Sequence, residues 1–408
     1  MSTRVGFLGI APPRILLALG ALFLVLAAGV APCSATTEPE DAVAAITLVE
    51  QRVIEIPDSR LLSLSPDGGS IAVARPQGSD ATELCIHDVA TLAERVCADL
   101  SDLESGLWHD MVVWSPDSQW LAFAELWPQY FAGGGLWLMD ASTGALTDLL
   151  DGSALALYPT FTPDSTAVTF ERTLPETWEF ESVDIATVPI TGGEAVRLGD
   201  SNRQYGGVEY WTMLWSEDGS GLYVTLVAYL RDQEASVLDP ASGIWVFDAG
   251  GQHDRQILGV AGPDDWPPSI MAVSPCGEHV LVRLPGTYRG LVDCCAIVDG
   301  VSGAVEPIES LRSEAPETMA IIGAGLSPDG SLLLTVSGSE RREREVGVRD
   351  VAGSDETILL TERPGDAPPD LTGRVATWAE NDTILILGRD LDRGTLLVLD
   401  RGSQAPAQ

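Results

Sequence analysis

The stretch Leu64-Ser65-Pro66-Asp67-Gly68 decides the fold, because its pattern returns along the whole chain. The later copies are Trp114-Ser115-Pro116-Asp117-Ser118, Phe161-Thr162-Pro163-Asp164-Ser165, Trp215-Ser216-Glu217-Asp218-Gly219, Val273-Ser274-Pro275-Cys276-Gly277, Leu326-Ser327-Pro328-Asp329-Gly330 and the degenerate Trp378-Ala379-Glu380-Asn381-Asp382. Counted from the second position, successive copies are 50, 47, 54, 58, 53 and 52 residues apart. A pattern that returns at nearly one period indicates an internal repeat.

Each copy predicts a tight turn between two β-strands. Proline fixes φ at the second turn position, aspartate suits the third and glycine relieves the fourth. The apolar run after each turn, as in Ile71–Ala74, predicts a second strand. A third strand ending in aspartate, as in Cys85–Asp88, and a more polar fourth strand, as in Arg95–Asp99, follow in most repeats. Four antiparallel strands in each 47–58 residues predict a propeller blade.

The fold class that we predict is all-β, a seven-bladed β-propeller of four-stranded antiparallel blades. The seventh repeat lacks its fourth strand, and a surplus strand, residues 51–56, precedes the first repeat. We therefore expect the N-terminal strand to complete the last blade and close the ring, which would hide the sheet edges. Residues 46–401 would form this domain, and six blades plus a separate unit are the alternative.

These residues resemble a known family. The turn pattern, the apolar strand after it and the strand ending in aspartate are similar to those of the WD-repeat-like propellers of the TolB type, which also occur in prolyl-oligopeptidase-like proteins. The resemblance covers nearly all of the chain after its N-terminal segment and implies the fold, whereas propellers serve many unrelated functions. The catalytic machinery of the peptidase relatives is not expected, because no Gly-x-Ser-x-Gly elbow occurs.

The N-terminal segment has the pattern of an export signal. Arg4 and Arg14 precede an uninterrupted apolar run of 17 residues, Ile15–Ala31, and no acidic residue occurs in residues 1–35. We expect residues 1–35 to be a signal peptide cleaved near Ala35, with an uncleaved anchor or a lipid on Cys33 as alternatives. Residues 36–45 would be a linker and residues 402–408 a polar tail. The location would be secreted or periplasmic, with no membrane span after signal removal.

The charge balance excludes some functions. The chain has 408 residues, of which 60 are acidic and 23 basic, for a net charge of −37, and every basic residue is arginine. Binding of nucleic acid is excluded, because phosphates require a basic face. Chemistry that needs a lysine, such as a Schiff base, is excluded as well.

Five cysteines follow the signal segment. Cys85 and Cys97 are expected to lie opposite each other on paired strands and to form a cross-strand disulfide. Cys276, Cys294 and Cys295 leave two arrangements open, one pair with a free thiol or a vicinal bridge. No Cys-x-x-Cys occurs, so the pattern favours neither a zinc ribbon nor a thioredoxin-type site.

The two faces of the predicted propeller differ. The first-to-second and third-to-fourth turns are short and share one face, whereas longer, irregular connections share the other, where function tends to lie. Aromatic, histidine and arginine side chains in those long connections are candidate partner-binding residues, because such side chains anchor interfaces. They are Trp108, His109, Trp127, Tyr130, Phe131, Trp178, Arg203, Tyr205, Tyr210, Trp266, Tyr288 and Arg289.

The functional expectation is a non-enzymatic binding scaffold, a monomer that engages a protein or peptide in the cell envelope or outside through its long-connection face. No catalytic residue, metal or cofactor is expected, since clustered imidazoles cannot be assembled from four histidines of which only His109 lies on that face. The alternative is a propeller enzyme, such as a lactonase, lyase or glycosidase, with its site at the central channel.

Overall fold

The computed structural model describes residues 48–55, 60–77, 80–101, 103, 106–127, 132–152, 154–173, 183–198, 207–229, 238–251, 254–260, 266–284, 294–308, 320–327, 329–338, 344–351, 356–362, 375–378, 383–387 and 395–401. Every regular element in these ranges is a β-strand, and all of them lie within one compact unit, Ala35–Gln408. The all-β prediction is confirmed. Within the same ranges, no helix has the length and hydropathy needed to cross a membrane.

The strands follow the sequence repeats, which we number 1 to 7. β1 (Leu48–Glu55) precedes repeat 1, which contains β2 (Arg60–Leu64), β3 (Ser70–Gln77), β4 (Asp80–Asp88) and β5 (Glu94–Asp99). Repeat 2 contains β6 (Gly106–Trp114), β7 (Trp120–Trp127), β8 (Ala132–Asp140) and β9 (Leu146–Asp148). Repeat 3 contains β10 (Leu155–Phe161), β11 (Ala167–Thr173), β12 (Val183–Pro189) and β13 (Val196–Leu198).

The later repeats continue the order. Repeat 4 contains β14 (Gly207–Trp215), β15 (Gly221–Tyr229), β16 (Gly243–Asp248) and β17 (Asp254–Gly259). Repeat 5 contains β18 (Ser269–Val273), β19 (His279–Leu284), β20 (Cys294–Asp299) and β21 (Val305–Pro307). Repeat 6 contains β22 (Ala320–Leu326), β23 (Leu332–Gly338), β24 (Arg344–Asp350) and β25 (Glu356–Glu362), and repeat 7 contains β26 (Val375–Trp378), β27 (Thr383–Leu387) and β28 (Thr395–Arg401).

Successive strands within a repeat pair antiparallel, as the repeat pattern predicts. In the last sheet, the order is β1-β28-β27-β26, so the N-terminal strand β1 occupies the place of a fourth strand, with Gln51 opposite Leu399. The first strands of neighbouring repeats contact one another, from β2 with β6 through to β22 with β26. The first strands are therefore the inner strands of the assembly.

Repeats 2 and 3 differ from the expected separate four-stranded sheets, because they share one eight-stranded sheet. The link is a pairing of β8 with β10, in which Ala156 lies opposite Gly134. Gly134 stands in a run of three glycines, Gly133–Gly135. Because glycine has no side chain, a neighbouring backbone can approach closely at such a site.

A buried hydroxyl organises each Ser-Pro-Asp turn. In repeat 2, the Ser115 hydroxyl donates to Asp117 Oδ1 (2.6 Å) and accepts from the Trp120 backbone N–H (2.9 Å). Asp117 Oδ1 accepts in turn from the N–H of Gln119 (3.1 Å). The corresponding residues Ser65, Thr162, Ser216, Ser274 and Ser327 also accept the N–H five residues later. The turn therefore satisfies its own buried backbone groups and fixes where the second strand begins.

The repeats are joined by hydrogen bonds and by apolar packing. The Trp114 indole donates to the carbonyl of Ser63 (3.2 Å), and the Trp215 indole donates to the Thr169 hydroxyl (3.1 Å), in each case in the preceding repeat. Buried apolar clusters fill the spaces between repeats 1 and 2, 2 and 3, 3 and 4, 4 and 5, and 5 and 6. The core is thus a series of layers between sheets, which are held in register by the turns.

We expect Ser115→Ala to lower the free energy of unfolding by about 1–3 kcal/mol, because the N–H of Trp120 would stay buried without its acceptor. Ser115→Thr keeps the hydroxyl, and Thr162 already fills this role in repeat 3, so this variant should stay close to wild type. Urea denaturation followed by circular dichroism measures both changes. Equal stability of the alanine and threonine variants would contradict the role of the hydroxyl.

The aspartates at the ends of third strands form a second kind of turn. Asp140 Oδ1 accepts from the Ser142 hydroxyl (2.6 Å) and from the N–H groups of Ser142 (2.7 Å) and Thr143 (3.0 Å). These bonds, led by that from the Ser142 hydroxyl, lower the pKa of Asp140. The Thr91 hydroxyl likewise lowers the pKa of Asp88.

Because these carboxyl pKa values are lower in the folded chain than in the unfolded one, the turns add stability above the ordinary aspartate pKa of about 4. We expect that stability to be lost as the pH falls from about 4 through the lowered values. Thermal melting between pH 2 and pH 7 measures it. Asp140→Asn should lower the melting temperature at pH 7 and lessen its fall with acid, and an unchanged pH dependence would contradict the assignment.

Candidate functional site

One end of the sheets carries the starts of the first strands and the ends of the second strands. We call it the long-connection end, since the short Ser-Pro-Asp turns lie at the opposite end. The strand registers place Gly106 opposite Leu126 and Gly207 opposite Tyr229 at this end. The inner strands of a propeller line its central channel, so we call the region at this end where the inner first strands start the channel mouth.

The structure describes five of the candidate partner-binding residues. Trp108 and His109 lie in β6, Trp127 is the last residue of β7 and Tyr210 lies in β14. Trp266 precedes β18 and is 62% exposed. Tyr130, Phe131, Trp178, Arg203, Tyr205, Tyr288 and Arg289 lie outside the described residues.

The prediction that Trp108, His109, Trp127 and Tyr210 stand in loops is wrong. The strands extend further than the short apolar runs suggest, and β6 has nine residues rather than the few that end in Trp114. The physical reason is that backbone pairing extends past the apolar core, to Gly207 in β14 and to Gly106 and Leu107 in β6, where Trp108 and His109 lie between paired residues without being paired themselves. The long-connection end therefore holds these residues on paired strands.

The first strands share an irregularity that the sequence does not reveal. A β-bulge interrupts the pairing of each first strand with its second strand in repeats 1 to 6. In five of these repeats one extra residue is inserted, for example Trp211 between Tyr210 and Thr212. Bulges turn side chains away from the regular alternation and are frequent beside active sites.

The bulge in β6 is larger than the others in the described part of the chain. Leu107 pairs with Glu125 and Val112 pairs with Phe123, so three extra residues are inserted in β6. The residues between the two pairs are Trp108, His109, Asp110 and Met111. An imidazole and a carboxylate thus occupy adjacent positions in the most irregular inner strand.

A buried carboxylate lies opposite Leu107, the last paired residue before this bulge. Glu125 is 7% exposed, and its Oε1 accepts a hydrogen bond from the Trp137 indole N–H at 2.7 Å. Trp137 lies on β8 opposite Phe123 of β7, which places it on the same face of the sheet as Glu125. The sequence analysis missed Glu125, although a glutamate within the apolar run Leu121–Trp127 is itself a signal.

An arginine cluster lies within repeat 3, beside the end of repeat 2. The Arg172 guanidinium holds Asp184 with two hydrogen bonds, from Nε to Oδ1 (2.8 Å) and from Nη2 to Oδ2 (2.7 Å). Arg197 Nε lies 3.4 Å from the same carboxylate. A cleft of about 580 Å³ opens beside Arg172, and its other charged lining residues are Asp148, Asp151 and Glu194. Because Arg172 is already paired, carboxylates dominate this cleft.

The cysteines and histidines do not assemble a metal centre among the described side chains. Cys85 and Cys97 lie opposite each other and form a disulfide. The ligand atoms of Glu83, Cys85 and Cys97 lie within 4.8 Å of one another. Both sulfurs are bonded to each other in the disulfide. Because the thiolate is the form of cysteine that binds metals, this group does not form a metal site.

The remaining cysteines and histidines lie apart. Cys276 is disulfide-bonded and Cys295 is a buried free thiol, so a vicinal bridge between Cys294 and Cys295 does not form. His87 is buried on β4 with its Nδ1 at 3.2 Å from the carbonyl of Leu92. His279 begins β19, near the short-turn end.

His253 lies outside the described residues. His109 is thus the one histidine that the described strands place at the channel mouth. Its neighbour Asp110 shares the same bulge.

Comparisons with known proteins show similarity at the level of structure only. No family model matches the sequence, and no curated protein matches it. An oligogalacturonate lyase in complex with manganese has a TM-score of 0.58 at 12% identity, over 88% of this chain and 98% of the lyase. An oligogalacturonate lyase from Vibrio parahaemolyticus has a TM-score of 0.54 at 12% identity, over 87% of this chain and 98% of the lyase. The Cps50 (Swd1) β-propeller domain from Myceliophteria thermophila has a TM-score of 0.51 at 12% identity, over 86% of this chain and 99% of that domain.

These comparisons correct the functional expectation. Two of the three structures described above are lyases that this chain covers to 98% of their length, so propellers of similar fold include enzymes. The expectations of a non-enzymatic binding scaffold and of a chain without enzymatic activity are therefore wrong. The propeller-enzyme alternative is better supported.

At 12% identity the similarity shows the fold. The similar structures are propellers, and the match covers nearly all of each of them. The described strands also agree with the repeat pattern in the sequence that predicts this fold. The chain therefore has the fold of a β-propeller, as the resemblance of its repeats to the WD-repeat-like propellers of the TolB type implies.

Proposed function

We propose that this chain is a propeller enzyme that acts on an acidic saccharide by elimination, with its site at the channel mouth. The observation that carries the proposal is the bulge of β6, where three extra residues bring His109 and Asp110 into an innermost strand. A large bulge costs ladder hydrogen bonds, and such departures from regular pairing are typical of functional sites. The similarity in fold to two oligogalacturonate lyases supports the choice of reaction.

Elimination from an acidic sugar requires two kinds of group. A base removes the proton from the carbon beside the carboxylate, a carbon–carbon double bond forms, and the carbon–oxygen bond on the next carbon breaks. A positive group stabilises the charge that develops on the carboxylate. The proton goes to the base, and the leaving oxygen takes a proton from an acid or from water.

The channel mouth offers candidates for both roles. We assign the base to His109, because imidazole titrates near neutral pH. Arg60 begins β2, an inner strand, at the same end of the sheets, and it supplies the positive group. Since the chain has no lysine, an arginine is the only side chain that can carry a permanent positive charge there.

The described side chains do not fit the manganese that one of the lyases holds. Among them, Glu83, Cys85 and Cys97 are the group with metal-type ligand atoms close together, and the disulfide removes two of its three ligands. No step of the proposed reaction is assigned to a metal.

The finer organisation belongs to the same proposal. We propose seven blades in residues 46–401, with β1 as the outer strand of the last blade. The pairing of β1 with β28 supports this arrangement. Residues 1–35 would direct export and residues 36–45 and 402–408 would flank the propeller, so that the enzyme meets its substrate in the envelope or outside the cell.

The reaction is tested by incubating the purified chain with oligogalacturonides and following the ultraviolet absorbance of the new conjugated double bond. We expect His109→Ala to lower kcat by at least about 100-fold, which is the low end for loss of a general base. His279→Ala removes the same kind of side chain near the short-turn end and should leave kcat close to that of wild type. No double-bond formation by the wild-type protein, or equal loss in both variants, would overturn the proposal.

Ionic strength provides an independent check of the substrate class. The net charge of −37 repels an acidic saccharide at long range. Raising the ionic strength from about 0.01 M to about 0.15 M shortens the screening length from about 30 Å to about 8 Å, so KM for an acidic oligosaccharide should fall. KM for a neutral oligosaccharide of equal length should not change, and a KM that rises with salt for the acidic one would contradict the expectation.

A further inference from the structure

Tyr158 has a backbone conformation that residues other than glycine rarely adopt. Its φ is 49°, in the left-handed region, where the Cβ of an L-residue comes too close to the following carbonyl oxygen. Among the described non-glycine residues with a positive φ, it is the one that lies in a β-strand, whereas the others lie in turns. Pro159 follows, and a proline favours extended conformations at the residue before it. The local sequence therefore opposes the conformation that Tyr158 has.

This conformation belongs to the bulge of β10. Leu157 pairs with Glu171 and Thr160 pairs with Thr169, so β10 has one residue more than β11 between the two pairs. Where a bulge contains a left-handed residue, that residue is usually glycine. A tyrosine in its place costs stability, and backbone strain of this kind is concentrated at functional sites.

The ring of Tyr158 lies at the inner edge of the repeat-3 sheet. It packs against the apolar cluster between repeats 2 and 3 and also against the cluster between repeats 3 and 4. The neighbouring residues Ile185 and Ala186 of β12 belong to different clusters, so the clusters lie on opposite faces of the sheet. A side chain that contacts both passes around the edge of the inner strand, where the pairing of β10 with β8 is at Ala156, before the bulge. Because the side chain is only partly buried and inner strands line the channel, its exposed part is on the channel side.

The neighbouring inner strand carries the β6 bulge at the same height. The β10 bulge begins opposite Glu171, which follows the turn residue Thr162 by nine positions. The β6 bulge begins opposite Glu125, which follows the equivalent turn residue Ser115 by ten positions. Since β6 and β10 contact each other, the two bulges lie side by side, with a difference in height of one position, or about 3 Å along a strand.

We propose that Tyr158 is a substrate-contacting residue of the channel-mouth site, whose ring provides a stacking surface for a sugar ring beside the β6 bulge. The inference rests on the proposed function for the identity of the ligand. Aromatic side chains line ligand sites because they offer a large, rigid apolar surface with a polar group at its end. Contact with a ligand explains why a tyrosine is retained where a glycine would relieve the backbone.

The strain is measured without a ligand. Tyr158→Ala and Tyr158→Gly both remove the ring, and only glycine adopts the left-handed conformation freely. We therefore expect the glycine variant to unfold at a higher urea concentration than the alanine variant, as followed by circular dichroism. Equal midpoints, or a higher midpoint for alanine, would overturn the proposal, because Tyr158 would then not be strained.

The accessibility of the ring is measured by brief nitration of the whole chain with tetranitromethane, followed by mass spectrometry of its peptides. Tyr158 should be nitrated, and oligogalacturonides at saturating concentration should slow its nitration. Tyr223 is the control, because it is 5% exposed and its hydroxyl donates to the carbonyl of Gly277 (2.8 Å), so it should stay unmodified. A Tyr158 as unreactive as Tyr223 would contradict the placement of its ring.

The contact itself is measured by calorimetric titration with oligogalacturonides, in the His109→Ala chain so that the saccharide is not cleaved. Tyr158→Leu keeps an apolar side chain but removes the ring, and it should weaken binding about threefold to tenfold. Tyr158→Phe keeps the ring and should bind within about twofold of the parent chain. Phe170→Leu removes a fully buried ring of the same repeat, so it should lower stability and leave the affinity unchanged.

Unchanged affinity in Tyr158→Leu, or an equal loss in Phe170→Leu, would overturn the proposal. So would the absence of any binding by both the His109→Ala chain and the wild-type chain. Binding that depends on Tyr158 without double-bond formation by the wild-type chain would overturn the proposed reaction alone. The failure of this inference is thus distinguishable from the failure of the proposed function.

Discussion

The buried hydroxyl of the repeated turn is the interaction on which the other features of this structure depend. In each described turn a serine or threonine at the second position accepts the N–H five residues later, at the start of the second strand. That bond decides which residue of the second strand faces which residue of the first. Because side chains alternate along a strand, a shift of one residue would send the apolar layer to the wrong side of the sheet. The layers between repeats follow from the turns.

The same local chemistry explains why the fold could be predicted from the sequence and the site only in part. Turn residues act over four or five positions and leave a pattern, so the strands, their order and the place of β1 beside β28 follow from it. The bulge in β6 leaves no such pattern. It becomes apparent only when Leu107 and Val112 are matched with their partners on β7. For this reason the sequence predicts a loop around Trp108 and His109, whereas the structure has a strand there.

The charge composition also does not show where a partner binds, because many charged side chains have local structural roles. In a chain with a net charge of −37, arginine side chains are the first candidates for binding an acidic partner. Two of the described arginines instead neutralise acids of their own sheets: Arg172 pairs with Asp184, and Arg75 lies 3.3 Å from Glu83. Many aspartates likewise accept hydrogen bonds within their own turns, as Asp140 does from Ser142. Net charge thus describes the long-range field of this protein, whereas individual charged residues have local structural roles.

The bulge in β6 is unusual when it is compared with the bulges in the other first strands. Five of the first strands absorb a single extra residue, which the repeat tolerates without losing the alignment of its turn. β6 absorbs three, yet its turn keeps the same hydrogen bonds through Ser115. The insertion therefore lies between the turn at Ser115 and the Leu107–Glu125 pair. β-Bulges are frequent beside active sites, and the proposed site is for this reason assigned to β6, where three residues are inserted between regular pairs.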